Sequence, residues 1–209
     1  ILRSWISDIS HRYLIWLYWL SPVLIYISFI HGQLDVIPIS LLVVALHFLF
    51  KANLTKSALF FGLSLATKTM VIIVLPFLIL YFIKQKYNLK EIILFILFSL
   101  VAFLVPNLPF LTSEAFYLMV FDNQEQEKIY NAFITLGSSS IFLIPVAYLL
   151  LLFKGFTIRT FNRDIFMMFL GFAFGIILIF VPPMPGWYFW LLPFLFYFYA
   201  KAKSRSFYL

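Results

Sequence analysis

The sequence predicts an all-α fold, a polytopic membrane bundle of helices, and three observations carry that prediction. Apolar residues make up 64% of the 209-residue chain and charged residues 11%, with a mean hydropathy of +1.04, a balance outside the range of water-soluble domains. The apolar residues form near-continuous Leu/Ile/Phe/Val runs without the period-two alternation of an outer-membrane strand, and runs of this length favour helices. The polar residues gather between those runs, where loops belong.

In chain order, residues 1–12 are short, mixed and Trp-containing, and read equally as an interfacial helix or as the end of a fragment. Residue 1 is Ile and no signal-peptide pattern precedes the first apolar run, so the chain is expected to be the later portion of a longer polypeptide. Residues 13–30 form the first span, with Ser21-Pro22 in its middle, and residues 34–50 the second. Between them His31-Gly32-Gln33-Leu34-Asp35 leaves room only for a tight turn.

Residues 57–83 could be one tilted span or two helices meeting at Thr67-Lys68-Thr69. Cytoplasmic loops collect Lys and Arg, which allows a choice. Two helices put all of the 15 basic residues except Lys68 and Lys128 on one side. One span would leave Arg3, Arg12, Lys51, Lys56 and Lys128 opposite the rest and bury Lys68 in mid-membrane. The helix pair is therefore expected, with Lys68 on the extracytoplasmic side beside His31 and Asp35.

The remaining spans are 91–105, 132–153, 165–181 and 187–200, giving about eight membrane segments in a single domain over 1–209. Residues 106–131 form a long extracytoplasmic loop, whose aromatic and apolar content predicts a short interfacial helix. The net charge of +7 follows from the cytoplasmic loops and points to anionic lipid, not nucleic acid. Asn53-Leu54-Thr55 matches a glycosylation acceptor but falls on the cytoplasmic side. The absence of Cys says nothing about compartment, because a helical membrane bundle does not need disulfides.

Polar groups at membrane depth survive where they line water or a polar ligand. Asp35 opens a helix, so it reads either as a capping carboxylate or, with Gln33, as a hydrogen-bonding partner for a hydroxylated or phosphorylated ligand, with His31 as an accessory. Lys68 between Thr67 and Thr69 reads as a snorkelling helix-end lysine or as an anion site with two hydroxyl donors beside it. Trp187 and Tyr188, in the rigid run Pro182-Pro183-Met184-Pro185-Gly186, read as interfacial anchors or as rings flanking a lipid tail or sugar face. No spacing of His, Cys or carboxylates suggests a metal site, and neither a phosphate-binding glycine loop nor a nucleophile elbow is present.

Several of these elements resemble a known family. Ser21-Pro22 through Gly32-Gln33-Leu34-Asp35, then Ala66-Thr67-Lys68 and Leu75-Pro76, resemble the multispanning glycosyltransferases of the GT-C class. The Gly-Gln-x-Asp element is similar to one in polyprenyl-phosphate-dependent mannosyltransferases. The Thr-Lys element resembles the turn that holds a lipid phosphate in aminoarabinose and protein mannosyl transferases. Trp187-Tyr188-Phe189-Trp190-Leu191-Leu192-Pro193-Phe194 is similar to the late helix of glycolipid mannosyltransferases.

The resemblance implies transfer of a mannose-like hexose from a polyprenyl-phosphate donor to a lipid or glycan acceptor on the extracytoplasmic face of the cell membrane or endoplasmic reticulum. It makes Asp35 the catalytic candidate and His31, Gln33, Thr67, Lys68, Thr69, Trp187 and Tyr188 the substrate-binding candidates. A divalent cation is the one cofactor it leaves open. Family members carry an acidic residue in a loop after their first span, a loop with no counterpart here, which places the base upstream of this chain. The alternatives are a transporter of lipid-linked saccharide or another anionic lipid, and a non-catalytic membrane subunit.

Overall fold

The structure is a computed structural model that describes residues 5, 18, 20–120 and 122–206. The expectations for residues 1–12, apart from Trp5, and for most of the first span up to residue 19 lie outside the described residues. The class is all-α, with one small hairpin.

The first span does not pass smoothly through Ser21-Pro22. Ser21 is extended at ψ 123, and a new helical turn starts at Pro22, because proline disfavours a helical residue before it and supplies no N–H of its own. That turn, Pro22–Ile25, widens into a π-helix over Tyr26–Ile30. Gly32, at φ +69, then reverses the chain, a conformation that glycine adopts at no steric cost.

Helix α1 (Val36–Phe50) and helix α2 (Leu54–Thr67) form a hairpin through Lys51-Ala52-Asn53. The Asn53 side chain accepts from the Lys56 N–H at 3.1 Å and caps α2. At Lys68 the helix breaks, with the backbone extended at φ −158 and ψ 116. A 3-10 turn, Thr69–Val74, leads into α3 (Leu75–Lys84). The chain folds back here: Phe61 of α2 and Phe82 of α3 both pack on Phe95, with ring centroids at 5.9 and 4.9 Å. The stretch over 57–83 is thus two antiparallel arms meeting at Lys68.

Helix α4 (Leu89–Asn107) starts from a reciprocal cap in which Asn88 and Glu91 bond each other's backbone N–H. It crosses α2 closely at Gly62, where a Cβ would collide with the Ser99 backbone and lie 2.6 Å from Ala102 Cβ. Small residues at such a crossing let two backbones approach. Beyond it, helix α5 (Glu114–Val120) is the short helix expected within 106–131.

The span expected over 132–153 begins as something else. Strands β1 (Phe133–Leu136) and β2 (Ser139–Phe142) pair antiparallel, Phe133 opposite Phe142, and only then does helix α6 (Leu143–Thr157) start. The cause is local: Gly137, at φ 62, takes the first of two turn positions between an aromatic and β-branched run and a serine run, the arrangement of a tight hairpin. Helices α7 (Arg163–Phe180) and α8 (Tyr188–Ser206), joined through a 3-10 turn at Pro185–Trp187, complete the bundle.

Leu42, Phe61, Phe77, Phe166, Phe169 and Phe194 are fully buried at its centre. Among the described residues two helical stretches, Leu89–Phe110 and Arg163–Phe180, are long and apolar enough to cross a membrane, and four shorter apolar helices of 10–17 residues accompany them. That is fewer than the eight crossings expected. Length is the reason: most of the apolar runs are cut by Pro, Gly or a polar turn before they reach the roughly 20 residues a crossing needs.

Basic side chains meet at one end. Lys84 Nζ donates to the carbonyls of Phe156 and Ile158 at 2.6 and 2.9 Å, Lys201 pairs with Asp164 at 2.5 Å, and Arg163 lies 5.5 Å from the Phe50 ring centroid. Lys68 sits at the other end of α2 and α3.

Candidate functional site

Three elements converge where α2 breaks. The N-terminus of α1 brings Asp35, the break brings Lys68, and the start of α8 brings Trp190. Two tertiary hydrogen bonds hold the elements in place: Ser64 Oγ donates to Pro38 O at 2.7 Å, tying α2 to α1, and Tyr148 of α6 donates to Ile73 O at 2.7 Å, securing the 3-10 turn.

Asp35 sits at the N-cap of α1, yet its carboxylate bonds no helix N–H. It pairs instead with Lys68 Nζ and accepts from Trp190 Nε1 at 2.9 Å, both through Oδ1. No donor among the described residues reaches Oδ2. The cap expected of Asp35 is therefore not made, and its carboxylate serves Lys68 and Trp190 instead. The Lys68 ammonium also lies 5.5 Å from the Trp190 ring centroid, within the range of a cation–π contact. Its side chain is 37% exposed, whereas Asp35 is 6% exposed. Asp35 therefore lies behind Lys68 and holds it.

Lys68 faces a cavity of about 460 Å³ lined also by Gln33, Thr67, Thr69, Trp187 and Trp190. Among the described residues Lys68 is the one charged side chain in that lining. Asn107 at the end of α4, with Asn123 and Gln126 from the segment after α5, adds further carboxamides. Gln126 Nε2 donates to Thr69 Oγ1 at 3.0 Å, so this segment roofs the cavity and is fastened to the break below. A second cavity of about 400 Å³, almost wholly apolar, adjoins the first and shares Thr69, Phe103, Val120 and Gln126 with it. It runs between α2 and α4 past Ile72 and Leu100, which are half exposed at the side of the bundle.

The expected site residues divide. Gln33, Thr67, Lys68, Thr69 and Trp187 line the main cavity. The Thr67 hydroxyl, however, is turned back onto Ser64 O at 2.8 Å. Asp35 touches the site only through Lys68 and Trp190. His31 is exposed beside Tyr26, with ring centroids 6.3 Å apart, and Tyr188 is 45% exposed; neither lines the cavity. Reading the sequence missed Trp190, which a three-residue step from Trp187 places on the same helix face, and the roof carboxamides, whose loop gives no periodic signal.

Among the described residues no group of three His, Cys, Asp or Glu side chains could hold a metal ion. The cavity lining holds no carboxylate among the described residues and Asp35 is already paired with the Lys68 ammonium, so the residues present do not fit a divalent cation.

Gly186 packs against Gln33 and Asp35 without room for a side chain. A Cβ there would collide with Gln33 Oε1 and lie 2.5 Å from Asp35 Oδ2. Gln33 Oε1 is buried and has no hydrogen-bond partner among the described residues.

No family model matches the chain, and neither a curated protein nor a solved structure matches it.

Proposed function

We propose that this chain is the membrane-embedded, donor-lipid portion of a GT-C-like glycosyltransferase, which takes a hexose from a polyprenyl-phosphate carrier on the extracytoplasmic face. The observation that carries this is the position of Lys68: the one cation among the described lining residues, held by Asp35 at the junction of a polar cavity and an apolar one that opens at the side of the bundle. A phosphate joined to a long hydrocarbon chain fits that junction, with the phosphate at Lys68 and the chain between α2 and α4.

A bilayer as solvent is supported by α4, of whose most apolar window only 28% is buried. A core helix of a water-soluble protein would be mostly covered, and an apolar surface this large marks contact with lipid or another protein. In the eight-segment arrangement, the shorter helices reach the interface through their polar flanks, and the basic end lies in the cytoplasm.

In such a reaction the acceptor hydroxyl attacks the anomeric carbon, and the lipid phosphate leaves carrying negative charge. Lys68 is placed to stabilise that charge. An ammonium has three N–H donors and Asp35 takes one, leaving others for the phosphate. Asp35 acts as a positioning residue for Lys68, and the base that deprotonates the acceptor comes from outside this site. Trp187 and the carboxamides of Gln33, Asn107 and Gln126 surround the sugar.

The test is photo-crosslinking in native membranes with a polyprenyl-phosphoryl hexose that carries a diazirine on its lipid. Adducts are expected on residues 69–75 and 96–103, and Lys68→Ala should reduce them about tenfold or more. Labelling spread evenly over the bundle, or indifferent to Lys68→Ala, overturns the reading. Unlabelled lipid-diphosphate saccharide competing better than the monophosphate carrier would favour the transporter alternative.

A further inference from the structure

The hydroxyls on either side of Lys68 are committed differently. Thr67 spends its proton on the Ser64 carbonyl at 2.8 Å, so it has none left for a ligand. Thr69 accepts instead: Gln126 Nε2 lies 3.0 Å from Thr69 Oγ1 and 3.2 Å from the carbonyl oxygen of Val120. That carbonyl fixes which end of the carboxamide points this way. A backbone oxygen can only accept, so the end facing it is the nitrogen, which gives one N–H to Val120 and the other to Thr69. A hydroxyl has one proton and two lone pairs. One lone pair of Thr69 Oγ1 is taken by Gln126, and its O–H donates to no acceptor among the described residues. The proton is left to a ligand.

We propose that Gln126 makes Thr69 the second hydrogen-bond donor to the anion at Lys68, so that the roof is a working part of the anion site and tightens when the anion binds. The inference rests on the reading that a lipid phosphate is bound at Lys68, which stays paired with Asp35 throughout. Thr69 borders both the polar cavity and the apolar one, and Lys68, its neighbour in the chain, lines the first. That junction is where the phosphate of a carrier lipid sits. The ammonium gives it an N–H and Thr69 gives it an O–H. Gln126 acts on the phosphate through Thr69, and is a positioning residue for that hydroxyl.

The coupling runs both ways. A hydroxyl that accepts from an N–H is a better donor, and one that donates to an anion is a better acceptor, because hydrogen bonds in a chain polarise one another. Whatever Gln126 adds to anion affinity, the anion therefore adds to the bond between Gln126 and Thr69. That bond fastens residues 122–128, which carry the short helical turn Gln124–Glu127, over the cavity. Anion binding is thus felt as a steadier roof. The same arrangement separates the threonines that look equivalent in the sequence: Thr69 serves the ligand and Thr67 serves its own helix.

The experiment uses the whole chain in lipid nanodiscs and farnesyl methyl phosphate, a lipid phosphodiester, as probe. Titration calorimetry compares the wild type with Thr69→Val, Thr69→Ser, Gln126→Met and the double variant Thr69→Val/Gln126→Met. Thr69→Val keeps the shape and loses the hydroxyl, and should weaken binding about tenfold, as for a hydrogen bond to a charged group. Thr69→Ser should restore most of that, and Thr69→Ala replaces Thr69→Val if the latter fails to fold. Gln126→Met releases the hydroxyl proton to three staggered positions and should weaken binding about threefold, but should have no effect in the Thr69→Val background. Hydrogen exchange of the amides in 122–128 should slow when the probe binds to the wild type and not when it binds to Thr69→Val. Equal losses for Gln126→Met in both backgrounds, undiminished binding by Thr69→Val, or slowed exchange that persists in Thr69→Val overturns the coupling alone. A probe that does not bind the wild type, or that binds Lys68→Met as well, overturns the anion reading and the coupling with it.

Discussion

Replacing Lys68 with Met should destabilise the protein far more than replacing Asp35 with Asn. Asp35 is 6% exposed and Lys68 37%, so the two ends of the pair are unequally hydrated. In Asp35→Asn the ammonium keeps partial access to water and the face of Trp190, and the loss should be about 1 kcal/mol. In Lys68→Met a buried carboxylate keeps one donor, Trp190 Nε1. Breaking a buried pair this way costs about 3–5 kcal/mol, reduced somewhat because Lys68 is partly exposed. We therefore expect about 2–4 kcal/mol for Lys68→Met.

The double variant Asp35→Asn/Lys68→Met should behave like Asp35→Asn alone, giving a large coupling in the mutant cycle. Reversible unfolding in mixed detergent and lipid micelles reads all four proteins. Equal losses for the two single changes, or the absence of coupling in the cycle, would refute the placement of Asp35 behind Lys68.

Three further outcomes are expected. Gly62→Leu should force α2 and α4 apart at Ser99 and Ala102 and lower stability by about 2–3 kcal/mol, seen as a lower unfolding midpoint in the same micelles; a neutral result would mean the crossing is looser than described. Asn88→Ala removes the Oδ1 that accepts from the Glu91 N–H in the cap on α4 and should cost about 1 kcal/mol, whereas Asn88→Ser should recover most of it. Trp190→Phe keeps a ring beside Lys68 but loses the N–H to Asp35. It should cost about 1–2 kcal/mol and weaken binding of farnesyl methyl phosphate by making Asp35 a stronger competitor for the ammonium, and tighter binding would contradict that account.

The sequence by itself determined the class and the break at Lys68. Long apolar runs admit little except helices, and the sorting of 15 basic residues prefers a hairpin at Thr67-Lys68-Thr69 whatever the packing, because loop charge is a property of composition. It also selected five of the residues that line the cavity, since a polar group in an apolar run is visible without coordinates. It could not place the start of α6, where Phe133, Ile134 and Thr135 suit a strand as well as a helix and Gly137 decides the turn.

Tertiary structure alone decided which polar groups meet. Asp35 and Trp190 are 155 residues apart, and their 2.9 Å hydrogen bond depends on how α8 enters the bundle after Gly186. The roof formed by Asn123 and Gln126 likewise exists only because Thr69 lies beneath it. Local patterns report what a residue prefers, burial or water, helix or turn. Which oxygen lacks a donor is settled by the whole packing arrangement, and that is why the buried Gln33 Oε1, without a partner among the described residues, appeared only in three dimensions.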